Sequence, residues 1–197
     1  MLCVNPKMDE KIERQREADR KRYIYILLVR YPDMSSRLFR FITRGCYSHA
    51  SIGISNTDGI FYSYVTTGFR KELPRQHPTF KQREIPCRLY RMEISDEIHD
   101  VAKAVLDDHA KQSHKFKYNT LGVILCLFRI VYMRKHRYFC SQFVSEILGQ
   151  IRAVPLAKHS SLYLPDDFMN MKELDFCFSG YLSQLVSLPE PMTYLTA

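Results

Sequence analysis

Residues 137–145, RYFCSQFVS, place one cysteine, Cys140, at the predicted start of a helix. Apolar residues follow it at helical spacing, so we expect one face of this helix to pack on the core. The first turn of a helix has unpaired N–H groups and a partial positive charge, which favour a thiolate over a thiol. The same N–H groups can hold an oxyanion once the sulfur has attacked a carbonyl carbon. A small buried apolar role is the alternative, and we expect it for Cys126.

A histidine, His49, lies at the predicted start of a strand in residues 48–54, SHASIGI. Small residues on both sides of the imidazole leave room for a neighbouring group or a substrate. A cysteine and a histidine at hydrogen-bonding distance are the minimal unit for attack by a thiolate. The alternative is a polar histidine at a strand edge. The other six histidines are expected in polar loops or on exposed helix faces: 77, 99, 109, 114, 136 and 159.

The pattern of apolar residues predicts a strand-rich first half of the chain. The continuous apolar run 23–29 indicates a strand covered on both faces. A short helix capped by Ser35 or Ser36 should then bury Leu38, Phe39, Phe41 and Ile42 and end at Gly45. A hairpin is predicted over 47–65 with its turn at 56–59, followed by a long loop over 66–86 and a strand over 87–94.

Helices dominate the prediction for the second half. The first, 96–112, is capped by Ser95 and has an apolar stripe that includes Val101. The next spans about 119–133, is expected to be buried, and has Asn119 as its cap. The Cys140 helix closes at Gly149. A short helix begins at Pro165, with Asp166 and Asp167 as caps, and a final strand covers 174–181.

Length, charge and cysteine content limit the classes of protein to which this chain can belong. The chain of 197 residues is expected to form a charged N-terminal helix or arm, 1–22, and one α+β domain, 23–197. Its formal charge of +8 favours acidic partners such as an anionic membrane surface, whereas the absence of Gly-aromatic signatures makes nucleic acid a weakly supported partner. The six cysteines form no C-x-x-C pair, so free thiols in the cytoplasm are expected, without metal or other cofactor.

The order of these motifs resembles the circularly permuted papain-like cysteine hydrolases. These are relatives of the NlpC-type amidases and include a bacterial amidase-like branch and the lecithin:retinol acyltransferase group. The resemblance rests on YSHASIGI with His49, a glycine-turned hairpin, and YFCSQFV with Cys140, in that order. The PDDF element at 165–168 also matches the bacterial branch. The resemblance as a whole implies an antiparallel sheet packed against helices, with the nucleophile at a helix N-terminus.

The resemblance also implies a polar residue that orients His49. Counted from the turn glycine, the position that holds histidine in the acyltransferase group falls on Ser63, which cannot supply a charge to stabilise imidazolium. Glu72 is the alternative orienter. Tyr138, Ser141 and Tyr118 are candidates to line the cleft or to bind the oxyanion.

These features predict a thiol hydrolase in which His49 is the base and Cys140 forms an acyl-enzyme. Its substrate is an amide or an ester, in a peptide, a cell-wall fragment or a lipid. A lipid acyl hydrolase or acyltransferase of the same fold and a catalytically inactive binding module remain as alternatives.

Overall fold

A six-stranded antiparallel sheet is the centre of the computed structural model, which describes residues 21–55, 59–73 and 84–186. The strands are β1 (Arg22–Val29), β2 (His49–Ile54), β3 (Phe61–Val65), β4 (Gly68–Glu72), β5 (Pro86–Ile94) and, later in the chain, β8 (Asp175–Tyr181). Their order across the sheet is β4-β3-β2-β1-β5-β8.

Helices and a short parallel strand pair complete the fold. The helices are α1 (Met34–Thr43), α2 (Asp96–Lys111), α3 (Thr120–Leu127), α4 (Cys140–Gln150) and α5 (Leu182–Val186). The strand pair is β6 (Lys117–Tyr118) and β7 (Arg137–Tyr138). Single 3-10 turns occupy Ser113–Lys115, Ser160–Leu162 and Pro165–Asn170.

The central strand β1 is buried on both faces, as its unbroken apolar run predicts. Ile24, Ile26 and Leu28 belong to the larger core cluster, on the face covered by α4 and α2. The alternate residues of the strand point to a second, smaller cluster that includes Leu182 and Leu185 of α5. An antiparallel sheet packed against helices confirms the predicted α+β class.

The segment 66–86 is wrongly predicted as a loop throughout, because it contains the edge strand β4. This strand pairs with β3 from Phe61 opposite Glu72 to Val65 opposite Gly68. Its sequence, GFRKE, has charged residues at positions that face solvent, and Gly68 has a positive φ of 115°. Such an edge strand shows little of the apolar alternation from which strands are recognised.

Two helices expose apolar residues that the sequence pattern assigned to the core. In α1, Leu38 and Phe41 are 59% and 82% exposed. The predicted helix 119–133 is also wrong in length and burial, since α3 ends at Leu127 and Phe128 is 72% exposed. Periodicity identifies an apolar stripe on a helix, but it does not say what covers the stripe.

Arginines in the left-handed conformation end three helices where glycine or a longer helix was predicted. Arg44, Arg129 and Arg152 have φ values of 52°, 58° and 54°. In each case the N–H of the next residue donates a hydrogen bond to a carbonyl oxygen of the last helical turn. For example, the N–H of Ile130 donates to the carbonyl oxygen of Leu125 at 2.9 Å. Gly45 and Gly149, the predicted ends of α1 and α4, therefore do not occupy the left-handed position.

Helix α2 matches its predicted bounds to within one residue, and the Ser95 hydroxyl accepts from the N–H of Ile98 at 3.3 Å. Two details of that prediction are wrong. Val101 is 49% exposed, whereas His99 is buried with Nε2 3.1 Å from the carbonyl oxygen of Ser55. His109 is likewise not on an exposed face, because its ring stacks on Phe116 at 4.6 Å.

The side chain of Phe143 is fully buried where α4 meets the sheet, with its ring 5.0 Å from that of Tyr64. We expect Phe143→Ala to lower the free energy of unfolding by about 3–5 kcal/mol, because it leaves a cavity in the core. Urea denaturation measures this loss. The matched control is Phe128→Ala at an exposed position, and an equal loss in both variants would contradict this packing.

The predicted arm over residues 1–22 lies outside the described residues except for its last two positions, and Arg22 already belongs to β1. The predicted turn at 56–59 is described only at Gly59, which has a φ of 70°. Within the described ranges, the helices are all too short or too polar to cross a bilayer.

Candidate active site

Cys140 is the first residue of α4, as predicted, and it is 6% exposed. Phe139 before it is extended (φ −106°, ψ 166°), and its carbonyl oxygen accepts the first helical hydrogen bond, from the N–H of Phe143 at 2.9 Å. Helix α4 packs on β2 and β3. The thiol is therefore held between a helix N-terminus and the middle of the sheet.

His49 is the first residue of β2, opposite Val29 at the end of β1, and it is 5% exposed. Its Nε2 lies 2.7 Å from Oε1 of Glu72, and its side chain also hydrogen-bonds Cys140. Since Nε2 is engaged by Glu72, we assign Nδ1 to the bond with Cys140. The imidazole thus joins a carboxylate to a thiol.

Glu72 is the last residue of β4 and is 4% exposed. Strand β4 pairs with β3, which pairs with β2, so the side chains of Glu72 and His49 meet across β3. A carboxylate buried this deeply is costly unless it is paired. The contact with His49 provides that pairing and fixes the orientation of the ring.

The charges of the site favour an ion pair between the thiolate and the imidazolium. Burial alone would lower the pKa of His49, but Glu72 and Cys140 outweigh it and raise this pKa from 6.5 to about 10. Burial alone would raise the pKa of Cys140, but the hydrogen bond to His49 and its positive charge lower this pKa below its ordinary value of 9.0. The two shifts have opposite signs, so both groups are charged over the intervening pH range.

Two backbone amides add to the stabilisation of the thiolate. The N–H groups of Ala50 and Ser141 hydrogen-bond the sulfur of Cys140 and lower its pKa further. One follows His49 on β2 and the other is at the start of α4. Donors in these positions also lie next to the carbonyl carbon that the sulfur would attack, where negative charge develops on oxygen.

Two tyrosines lie close to the Cys140–His49 pair. The ring centroid of Tyr31 is 5.5 Å from that of His49, and its pKa is raised by burial and then by Glu72. Burial, followed by the nearby Cys140, raises the pKa of Tyr118 as well, so its hydroxyl keeps its proton and can donate it to an oxyanion. Tyr118 was predicted to line the cleft, whereas Tyr31 was missed. The sequence signal that could have identified Tyr31 is its position just after β1, whose last residue, Val29, pairs with His49.

The hydroxyl of Ser63 bonds the backbone rather than the His49 ring. Its buried hydroxyl donates to the carbonyl oxygen of Ala50 at 2.6 Å, so it stabilises the pairing of neighbouring strands. Of the two proposed orienters, Glu72 is the one that contacts the imidazole. The resemblance predicts the orienting residue on β3, the strand after His49. The carboxylate of Glu72 comes instead from β4, the next strand along the chain.

The other two cleft candidates are also corrected in part. The Tyr138 hydroxyl bonds Glu146, and its ring lies 5.2 Å from Tyr64 in an aromatic cluster, so it faces away from the sulfur. The Ser141 hydroxyl donates to the carbonyl oxygen of Tyr163 at 2.6 Å, which leaves only its backbone N–H for the site.

Two predicted caps, Asn119 and Asp167, are confirmed next to the site, whereas Asp166 does not cap its own turn. Oδ1 of Asn119 accepts from the N–H of Gly122 at 3.0 Å, and Oδ2 of Asp167 accepts from that of Leu164 at 2.6 Å. Asp166 accepts from the N–H of Tyr47 at 2.9 Å and so ties the turn Pro165–Asn170 to the chain just before His49.

Two further findings concern metals and cysteines. No group of three or more His, Cys, Asp or Glu side chains in the described ranges is arranged to hold a metal ion. The cysteines at 46, 87, 126, 140 and 177 are all free thiols. Burial raises the pKa of Cys126 to about 11, the behaviour of an ordinary buried cysteine and the opposite of Cys140.

No protein-family model matches this sequence, and no curated protein matches it either.

Proposed function

We propose that this chain is a cysteine hydrolase of the permuted papain-like class, which cleaves an amide or ester bond through an acyl-enzyme on Cys140. The observation that carries the proposal is the buried chain of contacts from Glu72 through His49 to Cys140. Nucleophile, base and orienting carboxylate are the three parts that such chemistry needs.

The first half of the proposed reaction forms a thioester. The Cys140 thiolate attacks the carbonyl carbon, and the carbonyl π electrons move to oxygen, to which the N–H of Ser141 and the hydroxyl of Tyr118 donate in this proposal. The carbon–nitrogen or carbon–oxygen bond then breaks. His49 gives its proton to the departing amine or alcohol and becomes neutral.

The second half releases the acyl group. Neutral His49 takes a proton from water, the hydroxide attacks the thioester, and the sulfur leaves as thiolate beside the restored imidazolium. Glu72 holds the ring in place and stabilises the imidazolium each time it forms. If an alcohol or amine takes the place of water, the same steps transfer the acyl group.

The order of the residues supports the permuted class. His49 precedes Cys140, the reverse of ordinary papain-like enzymes, and the two meet across an antiparallel sheet and a helix N-terminus. The alternative of an inactive binding module rested on the weakness of Ser63 as an orienter. The carboxylate of Glu72 on Nε2 removes that reason and favours an active site.

Mass spectrometry of protein quenched during turnover of p-nitrophenyl acetate tests the proposal. We expect one acetyl group on the peptide that contains Cys140, because acylation of an activated ester outpaces hydrolysis of the thioester. Exposed Cys46 is the internal control and should stay unmodified. Acetylation of Cys46 alone, or of lysines with none on Cys140, would contradict an acyl-enzyme at this site.

A further inference from the structure

Most of the large apolar side chains that the described residues expose belong to two segments. Of thirteen such side chains, four lie on α1 and six lie between 121 and 133: Met34, Leu38, Phe41 and Ile42 in the first, and Leu121, Ile124, Phe128, Ile130, Val131 and Met133 in the second. Isolated exposed apolar residues are normal, but concentration in two segments indicates a surface that something covers. We call these segments the apolar rim.

Each helix of the apolar rim presents its exposed residues on one side. On α1 they follow the spacing i, i+4, i+7 and i+8 from Met34, which is one stripe of a helix. On α3 the exposed residues Leu121, Ile124 and Phe128 form a stripe, whereas Gly122 and Cys126 on the other side are buried. Both helices therefore present apolar side chains outward, α1 as an amphipathic helix and α3 as a helix that is apolar on nearly every side.

Both helices adjoin the segment 160–170 beside the candidate active site. Asp166 of its turn Pro165–Asn170 binds the N–H groups of Cys46 and Tyr47, directly after α1. Helix α3 packs on the neighbouring turn Ser160–Leu162, whose Ser160 carbonyl oxygen accepts from the Ser145 hydroxyl of α4 at 3.0 Å. The two parts of the apolar rim therefore adjoin one segment of the chain.

Basic residues outnumber acidic ones around the apolar rim, although Asp33 caps the start of α1. Residues 34–57 contain three basic and no acidic residues, and residues 109–145 contain seven basic and no acidic residues. These ten positive charges exceed the net charge of +8, so the rest of the chain is slightly acidic. Arg37, Arg44, Arg129, Arg134 and Lys135 are all exposed.

We infer that the apolar rim docks on the surface of an anionic lipid bilayer, with its apolar side chains in the headgroup region and its basic side chains on the lipid phosphates. Amphipathic helices with arginine beside Phe and Leu bind such interfaces through buried apolar area and electrostatic attraction together. A second copy of this chain is disfavoured because two like-charged faces would repel each other. Nucleic acid would leave the apolar stripes in water.

Flotation with vesicles of phosphatidylcholine and phosphatidylglycerol in equal parts tests this inference. We expect the full chain to float with these vesicles at low salt, and to bind pure phosphatidylcholine vesicles much more weakly. High salt should weaken the binding without abolishing it, because screening removes the electrostatic part and leaves the apolar part. No binding to the anionic vesicles at low salt would overturn the inference.

Matched variants separate this face from the rest of the surface. Phe41→Ser and Phe128→Ser should each weaken partitioning about tenfold, because one aromatic side chain no longer enters the lipid. The control, Val101→Ser on α2, changes an exposed apolar residue outside the apolar rim and should bind like the wild type. Arg37→Gln should weaken binding about fivefold for the loss of one charge. Its control is Lys172→Gln, which should have no effect.

Size-exclusion chromatography of the same variants identifies other outcomes. A wild-type dimer that Phe41→Ser dissociates would assign the face to a second copy and overturn the inference, as would equal vesicle binding by Phe41→Ser and Val101→Ser. The inference does not rest on the chemistry of Cys140. Cys140→Ala should float like the wild type, so failure of the proposed hydrolysis and failure of membrane docking are distinguishable.

Discussion

Cys140→Ala is expected to abolish hydrolysis of p-nitrophenyl acetate, with a loss in kcat on the order of 10⁶-fold, comparable to removal of the nucleophile in other hydrolases of this type. The reason is that no thioester can form without the sulfur, and the remaining donors only polarise the carbonyl. His49 and Glu72 stay in place, so any residual rate reports catalysis by the base acting on water.

Two other cysteines serve as controls for this substitution. Cys46→Ala removes an exposed thiol and Cys126→Ala removes a buried one, and both should retain wild-type turnover once folding has been checked by thermal unfolding. Wild-type kcat in Cys140→Ala, with loss of activity in either control, would show that the acyl group is carried elsewhere.

Glu72→Gln is expected to lower kcat by about 10³-fold, on the scale of amide replacements of an orienting carboxylate. The amide keeps the size of the side chain, but it removes the negative charge that raises the pKa of His49. Without a stable imidazolium, the pKa of Cys140 returns towards that of an ordinary thiol. The thiolate fraction at neutral pH therefore falls.

The pH dependence of alkylation by iodoacetamide separates this effect from a simple loss of stability. In the wild type, the pKa of Cys140 is lowered, so alkylation should already be fast at pH 6. In Glu72→Gln the rate should be low at pH 6 and rise as pH approaches the ordinary thiol value of 9.0. Ser63→Ala is the matched control and should keep the wild-type profile, because its hydroxyl bonds Ala50. The reverse pattern would make Ser63 the orienter.

The central part of the fold could be predicted from the sequence because its signals are local. An unbroken run such as 23–29 has few interpretations besides a doubly covered strand, and a serine before 96–111 marks a helix start. The edge strand β4 could not be recognised in the same way. Its Arg70 and Lys71 face solvent, and its pairing with β3 is a tertiary contact without a local pattern.

The sequence indicates the positions of Cys140 and His49 in the candidate site, but it gives Glu72 only as an alternative to Ser63. Cys140 and His49 stand at element boundaries that the sequence indicates, whereas Glu72 is 23 residues from His49 and meets it only through the pairing of β3 and β4. Tyr138 illustrates the opposite error. It is two residues before the nucleophile, and in a continuous strand the two side chains would point the same way. Helix α4 begins at Cys140 instead, and the Tyr138 ring lies in the aromatic cluster.

Only 6% of Cys140 and 5% of His49 reach solvent, and Tyr31 stands against the imidazole. A carbonyl must come within bonding distance of a sulfur that is largely enclosed, so bulky groups directly beside that carbonyl would meet the side chains around it. We therefore expect esters of unbranched acids to react faster than esters of acids that are branched next to the carbonyl.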